Sequence, residues 1–285
     1  MIFAKKAVLL FLFPALLMCS GCSLFHKDYP VEINSVKIKE QPKTVAALSE
    51  SLASAVYALG YGDYLVGAPT SYCNESNNLK PLGTTVIPDK DAIINLSPEV
   101  LLVSSQPDDE LASALKLRNI TVVKINTPQS YDDITEYYNN IAKLFLGKYK
   151  YKETAETYLS ETERLTNAMN NVNKNITKKA LTFIENNYVA TGDTLAGQAM
   201  KKIGISNIAD SAVDYSMSSE SIVSENPDII FCPKNMSKSI LENKSFGNIS
   251  AVKNGAVYEI DVFALTYAGE GFCATLQDMT NYFSK

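Results

Sequence analysis

Runs of apolar residues alternate with polar helix starts along most of the chain, and the same order of elements occurs twice. A buried strand followed by a helix is expected in each half, with the strands at 44–48 and 180–184 and the helices at 52–59 and 195–203. Each helix is followed by a glycine, Gly60 or Gly204, a residue type that commonly ends helices. The matched order indicates an internal repeat.

A second pair of elements supports the repeat. An acidic helix start lies seven residues before a proline in both halves, at Asp91 before Pro98 and at Glu220 before Pro227. In both halves the proline and the acidic residue after it lead directly into an apolar strand. Continuous apolar strands that alternate with helices are typical of parallel sheets covered on both faces. The pattern therefore predicts an α/β protein with two lobes, each built around a parallel sheet.

The region between the two halves has helical periodicity. Ser130 is expected to cap a first helix, with Asp132 and Asp133 in its first turn, and Gly147 is expected to end it. A second helix is expected over 151–173, with apolar residues on one face. At ~1.5 Å per residue it would reach on the order of 35 Å, enough to pass along both lobes as a stiff connection.

The N-terminus has the pattern of a secretory signal. Lys5 and Lys6 precede the apolar run 7–18, which is shorter than the ~20 residues that a membrane-spanning helix needs. Small residues and then Cys22 follow, which predicts a bacterial lipoprotein signal with Cys22 lipidated as the first mature residue. An uncleaved membrane anchor is the alternative. In both cases we expect the folded part on the extracytoplasmic face of the cell membrane.

These patterns divide the chain into five predicted segments: a signal peptide (1–21), a tether (22–41), an N-terminal lobe (42–146), a connecting helix (147–176) and a C-terminal lobe (177–285). The tether is polar and mixed, with one possible edge strand from Val31 to Ile38. The roughly 240 residues that follow it suit two lobes of ordinary size.

Composition weighs against several classes of function. The net charge of −5 supplies no basic stripe for nucleic acid. Arg118 and Arg164 are the only arginines, so a site built on an arginine fork is not expected. His26 is the only histidine, which excludes an imidazole metal cage and weighs against Ser-His-Asp or Cys-His catalysis. No disulfide framework is indicated, and a bond between Cys232 and Cys273 is left open.

Open parallel sheets bind ligands beyond the carboxyl ends of their strands, and two facing lobes place these ends around a cleft. The loops expected there are rich in hydroxyl groups and tyrosines, and the candidate ligand-binding residues are Ser49, Glu50, Tyr72, Thr84, Thr85, Ser105, Tyr188, Tyr215, Met217, Lys234 and Tyr267. Such a set suits a large ligand held by stacking, contact area and scattered hydrogen bonds. Ordinary packing is the alternative for the tyrosines and Met217, solvation for Lys234, and helix capping for Glu50.

Ordered motifs from Pro42 onward resemble the solute-binding lipoproteins of ABC transporters for iron-siderophores, haem and cobalamin. The motifs lie at 42–51, 58–67, 82–83, 91–94, 97–100, 119–123, 218–230 and 255–258. The resemblance implies two lobes joined by a long helix, the class III periplasmic-binding-protein fold, without catalysis or a cofactor. It also implies a bulky metal chelate as ligand and a membrane permease as partner. We expect the chain to work as a monomer.

The resemblance also implies docking on the permease through one acidic residue in each lobe. In the second lobe the matching acid is Glu220. In the first lobe the matching position falls near Lys80-Pro81, which is not acidic, and Glu75 or Asp89 are the candidates to replace it.

Two functions of other classes are open alternatives. An extracellular α/β hydrolase or sugar-modifying enzyme would use carboxylates such as Glu50, Glu185 and Asp261, although no paired motif recommends them. A surface adhesin would use the same two lobes to bind a host protein. Turnover of a substrate favours the first alternative, and binding of a protein without any small ligand favours the second.

Overall fold

The structure is a computed structural model that describes residues 28–172 and 178–283. Its first part comprises β1 (Val31–Ile33), β2 (Val36–Ile38), β3 (Val45–Ala47), α1 (Glu50–Ala58), β4 (Leu65–Ala68), β5 (Lys80–Pro81), α2 (Lys90–Leu96), β6 (Val100–Val103), α3 (Asp109–Leu117), β7 (Thr121–Lys124) and the long helix α4 (Asp133–Val172). Its second part comprises β8 (Lys179–Glu185), β9 (Tyr188–Val189), α5 (Leu195–Lys202), β10 (Ser206–Asn207), α6 (Ser219–Glu225), β11 (Ile229–Cys232), α7 (Ser237–Leu241), α8 (Ser250–Lys253), β12 (Val257–Glu259), α9 (Val262–Tyr267) and α10 (Phe272–Phe283).

The two sheets have the same strand order, which confirms the predicted two-lobed α/β fold. The first sheet runs β5-β4-β3-β6-β7, and all its neighbouring strands are parallel. The second runs β10-β8-β11-β12, again parallel, with the short strand β9 added antiparallel to β8. The strands β4-β3-β6-β7 therefore correspond to β10-β8-β11-β12, and the carboxyl ends of each set lie at one edge of their lobe.

The internal repeat extends to the caps of two short helices. α2 begins at a cap formed by Asp89 and ends at Ser97, which has a left-handed backbone with φ 48°. α6 begins at a cap formed by Ser218 and ends at Asn226, which has φ 50°. A proline follows each left-handed residue and prevents the helix from continuing.

The acidic residue after each proline ties two neighbouring strands together. The Glu99 carboxylate accepts a hydrogen bond from the backbone N–H of Lys43 at 2.7 Å, just before β3. The Asp228 carboxylate accepts one from the backbone N–H of Lys179 at 2.8 Å, at the start of β8. The proline-acid motif thus fixes where the first strand of each lobe begins against its neighbour.

We expect Asp228→Ala to lower the free energy of unfolding by about 1 to 2 kcal/mol, because it removes a charge-assisted hydrogen bond at a half-buried position. Asp228→Asn keeps an acceptor and should recover part of this loss. Urea unfolding followed by circular dichroism measures the difference. Equal stability of the wild type and Asp228→Ala would show that the hydrogen bond between Asp228 and Lys179 does not stabilise the fold.

The long helix α4 bends at Gly147, as the sequence predicts. Gly147 has φ 70° and ψ −150°, and the backbone of Asp28 lies so close that a β-carbon at Gly147 would collide with it. Lys148 donates its backbone N–H to the carbonyl of Asp28 at 2.9 Å. At the start of α4 the expected cap by Ser130 is wrong in detail: the carboxylate of Asp133 accepts the backbone N–H of Ser130 at 2.8 Å. The last predicted positions of this helix, 173–176, lie outside the described residues.

The segment from residue 29 onward is part of the folded core rather than a tether. In place of one edge strand, β1 and β2 form an antiparallel hairpin whose Val31, Ile33 and Ile38 are buried. Tyr29 donates its hydroxyl hydrogen to the carbonyl of Leu144 in α4 at 2.8 Å. Alternating apolar positions therefore pack against the long helix. The predicted signal peptide, Cys22 and the tether up to residue 27 lie outside the described residues.

One large apolar cluster joins the two lobes. It includes Val45 and Leu102 of the first sheet, Tyr138 of α4, Phe231 of the second sheet and Leu276 of α10. A smaller cluster lies in each lobe beside it. A core shared by both sheets and α4 predicts only small movements of one lobe against the other.

Hydrogen bonds among the described residues also cross between the lobes. Tyr138 donates its hydroxyl hydrogen to the carbonyl of Ala268. The backbone N–H of Glu270 donates to the hydroxyl oxygen of Ser54 at 2.7 Å. The backbone N–H of Tyr131 donates to the side-chain carbonyl of Gln198 at 2.9 Å. Within the described part of the chain, no helix is both long and apolar enough to cross a membrane.

Candidate functional site

A cavity of about 510 Å³ lies between the two lobes, at the carboxyl ends of their strands. The first lobe contributes the loop that follows β7, and the second contributes the end of β8, β9, the start of α5, the loop after β10 and the end of α9. The lining residues are Thr127, Pro128, Gln129, Ile184, Glu185, Tyr188, Asp193, Thr194, Leu195, Asp214, Tyr215, Thr266 and Tyr267. Three of the candidate residues, Tyr188, Tyr215 and Tyr267, therefore meet in one place.

The three tyrosines present aromatic surface to this cavity. Tyr188 is 53% exposed and Tyr267 is 41% exposed, while Tyr215 is half-buried. Burial raises the pKa of Tyr215, and the nearby Tyr267 and Asp193 raise it further. Its hydroxyl therefore stays neutral at physiological pH and can donate or accept a hydrogen bond. The arrangement suits a ligand that stacks on rings and uses few directed polar contacts.

The backbone at Tyr215 is held in an unusual conformation. Asp214 and Tyr215 have φ 57° and φ 58°, in the left-handed region that side chains other than glycine seldom adopt. The backbone N–H of Tyr215 donates to the hydroxyl of Thr191 at 3.1 Å, and that of Asp214 donates to the carboxylate of Asp193 at 3.0 Å. Thr191 in turn donates its hydroxyl hydrogen to Asp193 at 2.6 Å. These bonds position the tyrosine ring at the cavity wall.

The same hydrogen bonds keep Asp193 ionised. The hydroxyl of Thr191 and the backbone N–H of Asp214 lower the pKa of this carboxyl group below its ordinary value. Asp193 therefore carries a negative charge in the cavity wall at neutral pH, beside Glu185 and Asp214.

Each lobe also has a depression of its own at the same edge. In the first lobe, Thr85 and Ser105 line a depression of about 190 Å³. In the second lobe, Met217 lines a depression of about 390 Å³ together with the apolar side chains of Phe183 and Ile240. These three candidates lie beside the central cavity rather than in it.

Ser49, Glu50 and Tyr72 do not line this cavity, and each makes local contacts instead. Ser49 is buried because it caps α1, where its hydroxyl accepts the backbone N–H of Leu52 at 3.3 Å. The Glu50 carboxylate accepts the hydroxyl hydrogen of Ser71.

Tyr72 makes its contacts within the first lobe, close to Glu270 of the second lobe. Its ring packs beside that of Tyr57 with ring centres 6.3 Å apart, and its hydroxyl bonds with Ser54. Burial raises the pKa of Tyr72 to about 12. These contacts agree with the packing alternative for this tyrosine.

Thr84 and Lys234 also lie outside the cavity lining. Thr84 closes a tight turn in which its hydroxyl accepts the backbone N–H of Ile87 at 2.9 Å. Lys234 is exposed and lies near Glu259, whose pKa is lowered chiefly by the hydroxyl of Ser237 and to a smaller extent by Lys234. Their polar groups therefore serve local structure and solvation.

The candidate set missed several residues of the cavity. Gln129 and Asp193 line it from loops that follow strands, and Glu185 lines it as the last residue of β8. The rule that ligands bind beyond the carboxyl ends of strands points to all three. Glu185 was predicted only as a carboxylate of the hydrolase alternative, and Asp193 resembles an ordinary residue of a helix start.

The cysteines of the described chain are free thiols, so the open question about Cys232 and Cys273 is answered against a disulfide. Cys232 is buried, and this burial raises its pKa to about 11. Within the described residues, no group of three or more His, Cys, Asp or Glu side chains is arranged to hold a metal ion.

Two lobes on parallel sheets, joined by a long helix and enclosing a cavity between their strand ends, define a two-lobed ligand-binding protein. The chain belongs to the periplasmic binding protein family, whose sequence profile matches residues 45–262. It is the substrate-binding protein of an ABC importer, which makes it an extracytoplasmic transport component rather than an enzyme.

Relatives in two bacteria are similar over most of the chain. The uncharacterized ABC transporter substrate-binding lipoprotein YvrC of Bacillus subtilis (strain 168) is 26% identical over 85% of this chain and 81% of its own. The Fe(3+)-citrate-binding protein YfmC of the same organism is 25% identical over 90% of this chain and 89% of its own. The crystal structure of the periplasmic haem-binding protein HutB of Vibrio cholerae matches the fold with a TM-score of 0.71 and 19% identity, covering 84% of this chain and 97% of that one.

Family membership excludes the hydrolase alternative, and the site geometry agrees. Of its three proposed carboxylates, Glu185 alone lines the cavity. Asp261 caps α9 by accepting the backbone N–H of Ala264 at 3.0 Å, and Glu50 is bonded to Ser71. The three groups therefore serve separate parts of the structure.

Proposed function

We propose that the chain captures a bulky metal chelate in the cavity between its lobes and delivers it to a membrane permease, while lipid on Cys22 holds it at the extracytoplasmic face of the cell membrane. The observation that carries the ligand proposal is the convergence of Tyr188, Tyr215 and Tyr267 on one cavity of about 510 Å³. This volume lies within the range of ~300–1,000 Å³ typical of small-molecule sites.

The charge of the cavity narrows the class of chelate. Glu185, Asp193 and Asp214 line it, and its described lining contains no lysine, arginine or histidine. An anionic chelate would be repelled by these carboxylates, at a cost of up to about 1 kcal/mol for each close pair in water. We therefore favour a neutral or cationic chelate, such as a ferric trihydroxamate siderophore or a corrinoid, over haem and ferric citrate.

The repeat supports a proposal for one docking residue in each lobe. Glu220 is the second residue of α6 and lies seven residues before a proline, and Asp91 has the same position in α2. Both carboxylates are exposed at the carboxyl-end edge of their lobes. We propose Asp91 as the first-lobe docking residue in place of Glu75 and Asp89. The carboxylate of Asp89 already caps α2 by accepting the backbone N–H of Ala92 at 2.9 Å.

Titration of the purified full-length chain with four coloured chelates tests the ligand proposal. The panel is a ferric trihydroxamate with a net positive charge, cobalamin, haem and ferric citrate, followed by quenching of tyrosine fluorescence, since the chain has no tryptophan. We expect a Kd below about 1 μM, or about −8 kcal/mol, for at least one of the first two and at least tenfold weaker binding of the last two. Absence of binding to all four would contradict the chelate assignment, and tight binding of ferric citrate or haem would contradict the charge argument alone.

A further inference from the structure

Two neighbouring apolar side chains project from the first lobe into solvent. Val86 is 88% exposed and Ile87 is 75% exposed, and together they form what we call the apolar tip. Most apolar side chains of this lobe are buried in its core, and an exposed contiguous apolar patch commonly marks an interaction site. The apolar tip lies in the loop between β5 and α2, at the same edge of the lobe as the cavity.

The turn that carries the apolar tip is rigid. Thr84 donates its backbone N–H to the carbonyl of Ile87 at 2.9 Å, and Ile87 donates its own to the Thr84 hydroxyl at 2.9 Å. The base of the turn is held by a hydrogen bond from the backbone N–H of Thr70 to the carbonyl of Gly83 at 2.7 Å. Gly83 has φ +81°, and a β-carbon there would lie 2.6 Å from the carbonyl oxygen of Ile87. The tip is thus held in place before any partner binds, which lowers the entropic cost of association.

Acidic side chains lie near the apolar tip. Asp89 and Asp91 follow it in the chain after Pro88, and Asp108 lines the same depression as Val86. Lys90 is the one cation between them, and it already pairs with Asp108 at 3.2 Å and Glu110 at 2.6 Å. The surface is therefore apolar at its centre and negative at its rim. Such a surface complements an apolar socket with a basic rim, and it is repelled by a membrane of anionic lipid.

The second lobe has a partial counterpart. Val213 is 57% exposed in the loop that leads to α6, the helix that carries Glu220. Both lobes thus place an exposed apolar side chain a few residues before the proposed docking acid.

We propose that Val86 and Ile87 insert into an apolar, cation-rimmed socket on an extracytoplasmic surface of the membrane permease, beside the contact made by Asp91. This inference rests on the proposed delivery function and adds an apolar anchor to its charged contacts. The tip supplies contact area at the centre of the surface, and the acids around it supply attraction and orientation.

Leu117 provides a matched control. It is 83% exposed and apolar, but it lies at the last residue of α3, at the edge of the lobe where the strands begin. A photo-crosslinking amino acid is placed at position 86 or at position 117 of the full-length chain in the native host. After irradiation of intact cells, the crosslinked peptides are identified by mass spectrometry.

We expect position 86 to crosslink to an extracytoplasmic segment of a multi-spanning membrane protein with lysine or arginine near the joined residue. The same product should be absent when the crosslinker is at position 117. Its yield from position 86 should fall at least fivefold when Asp91→Lys is added. A lipid adduct at position 86, or the same product at both positions, would overturn the proposal.

A second experiment separates the apolar tip from the ligand site, because Val86 also borders the first-lobe depression. The double variant Val86→Ser/Ile87→Ser should keep the affinity for the chelate within twofold and lower cellular uptake at least tenfold, while Leu117→Ser changes neither. If the double variant also loses affinity for the chelate, the apolar tip lines the ligand site, and the proposal is overturned. Normal uptake by the double variant would overturn only the proposal that the apolar tip inserts into the permease. A wild type that neither binds nor transports any chelate would overturn the proposed delivery function itself.

Discussion

The double variant Tyr215→Ala/Tyr267→Ala is expected to weaken binding of the chelate by about 30- to 100-fold. Both rings line the cavity between the lobes, and an aromatic contact contributes roughly 1 kcal/mol beyond its buried area. Loss of two such contacts, about 2 to 2.7 kcal/mol with their buried area, corresponds to that factor in Kd. Fluorescence or calorimetric titration with the tightest chelate of the panel measures the change.

Two controls separate the aromatic surface from other effects. Tyr149→Ala removes a ring that is 56% exposed on α4, outside the cavity, and should leave the affinity unchanged. Tyr215→Phe/Tyr267→Phe keeps both rings and should retain most of the affinity if contact area dominates. A loss in the phenylalanine variant as large as in the alanine variant would instead assign the binding energy to the hydroxyl groups. Unchanged affinity in the alanine variant would place the ligand elsewhere.

The backbone conformation of Tyr215 is also expected to contribute to the affinity for the ligand. Its left-handed backbone is maintained by Thr191 and Asp193, so the ring is positioned before the ligand arrives. A ring held in advance loses little conformational entropy on binding. The binding energy of the cavity therefore depends on hydrogen bonds behind its wall as well as on the rings that face the ligand.

The fold could be predicted from sequence because its signals are local. Apolar runs, helix caps and the proline-acid motif each lie within a few residues, and their repetition revealed two equivalent lobes. The N-terminal hairpin was missed because its short strands have three residues each and resemble a mixed polar segment. What buries Val31 and Ile33 is α4, about a hundred residues later in the chain.

The site could be predicted only in part, for a different physical reason. The carboxyl-end rule identifies an edge of each sheet, but long-range contacts decide which loops of the two lobes meet. The bond between Ser54 and the backbone of Glu270, for example, joins residues 216 positions apart. Ser49 follows a strand as the rule requires, yet its hydroxyl is used to cap α1. The same competition between capping and ligand binding applies to any serine that both follows a strand and precedes a helix.

Reversal of both docking charges should abolish transport without affecting capture of the ligand. In the variant Asp91→Lys/Glu220→Lys, the two proposed attractive contacts with basic residues of the permease would become repulsive. Close charge pairs at protein interfaces are coupled by about 1.5 kcal/mol or more, so two reversals should lower uptake on the order of 100-fold. Uptake of the radiolabelled chelate by cells that carry each variant, combined with its Kd in solution, measures the two effects separately.

The single variants test whether the two lobes are equivalent in docking. Asp91 and Glu220 occupy the same position of the repeat, so Asp91→Lys and Glu220→Lys should each lower uptake by a similar factor, about tenfold. Glu156→Lys, a reversal at an exposed site of α4, controls for the change in net charge and should leave uptake normal. A defect in Glu220→Lys but not in Asp91→Lys would move first-lobe docking to another residue. Normal uptake by both single variants and by the double variant would mean that the two acids do not take part in docking. They would then serve helix stability, because a carboxylate in the first turn interacts favourably with the helix dipole.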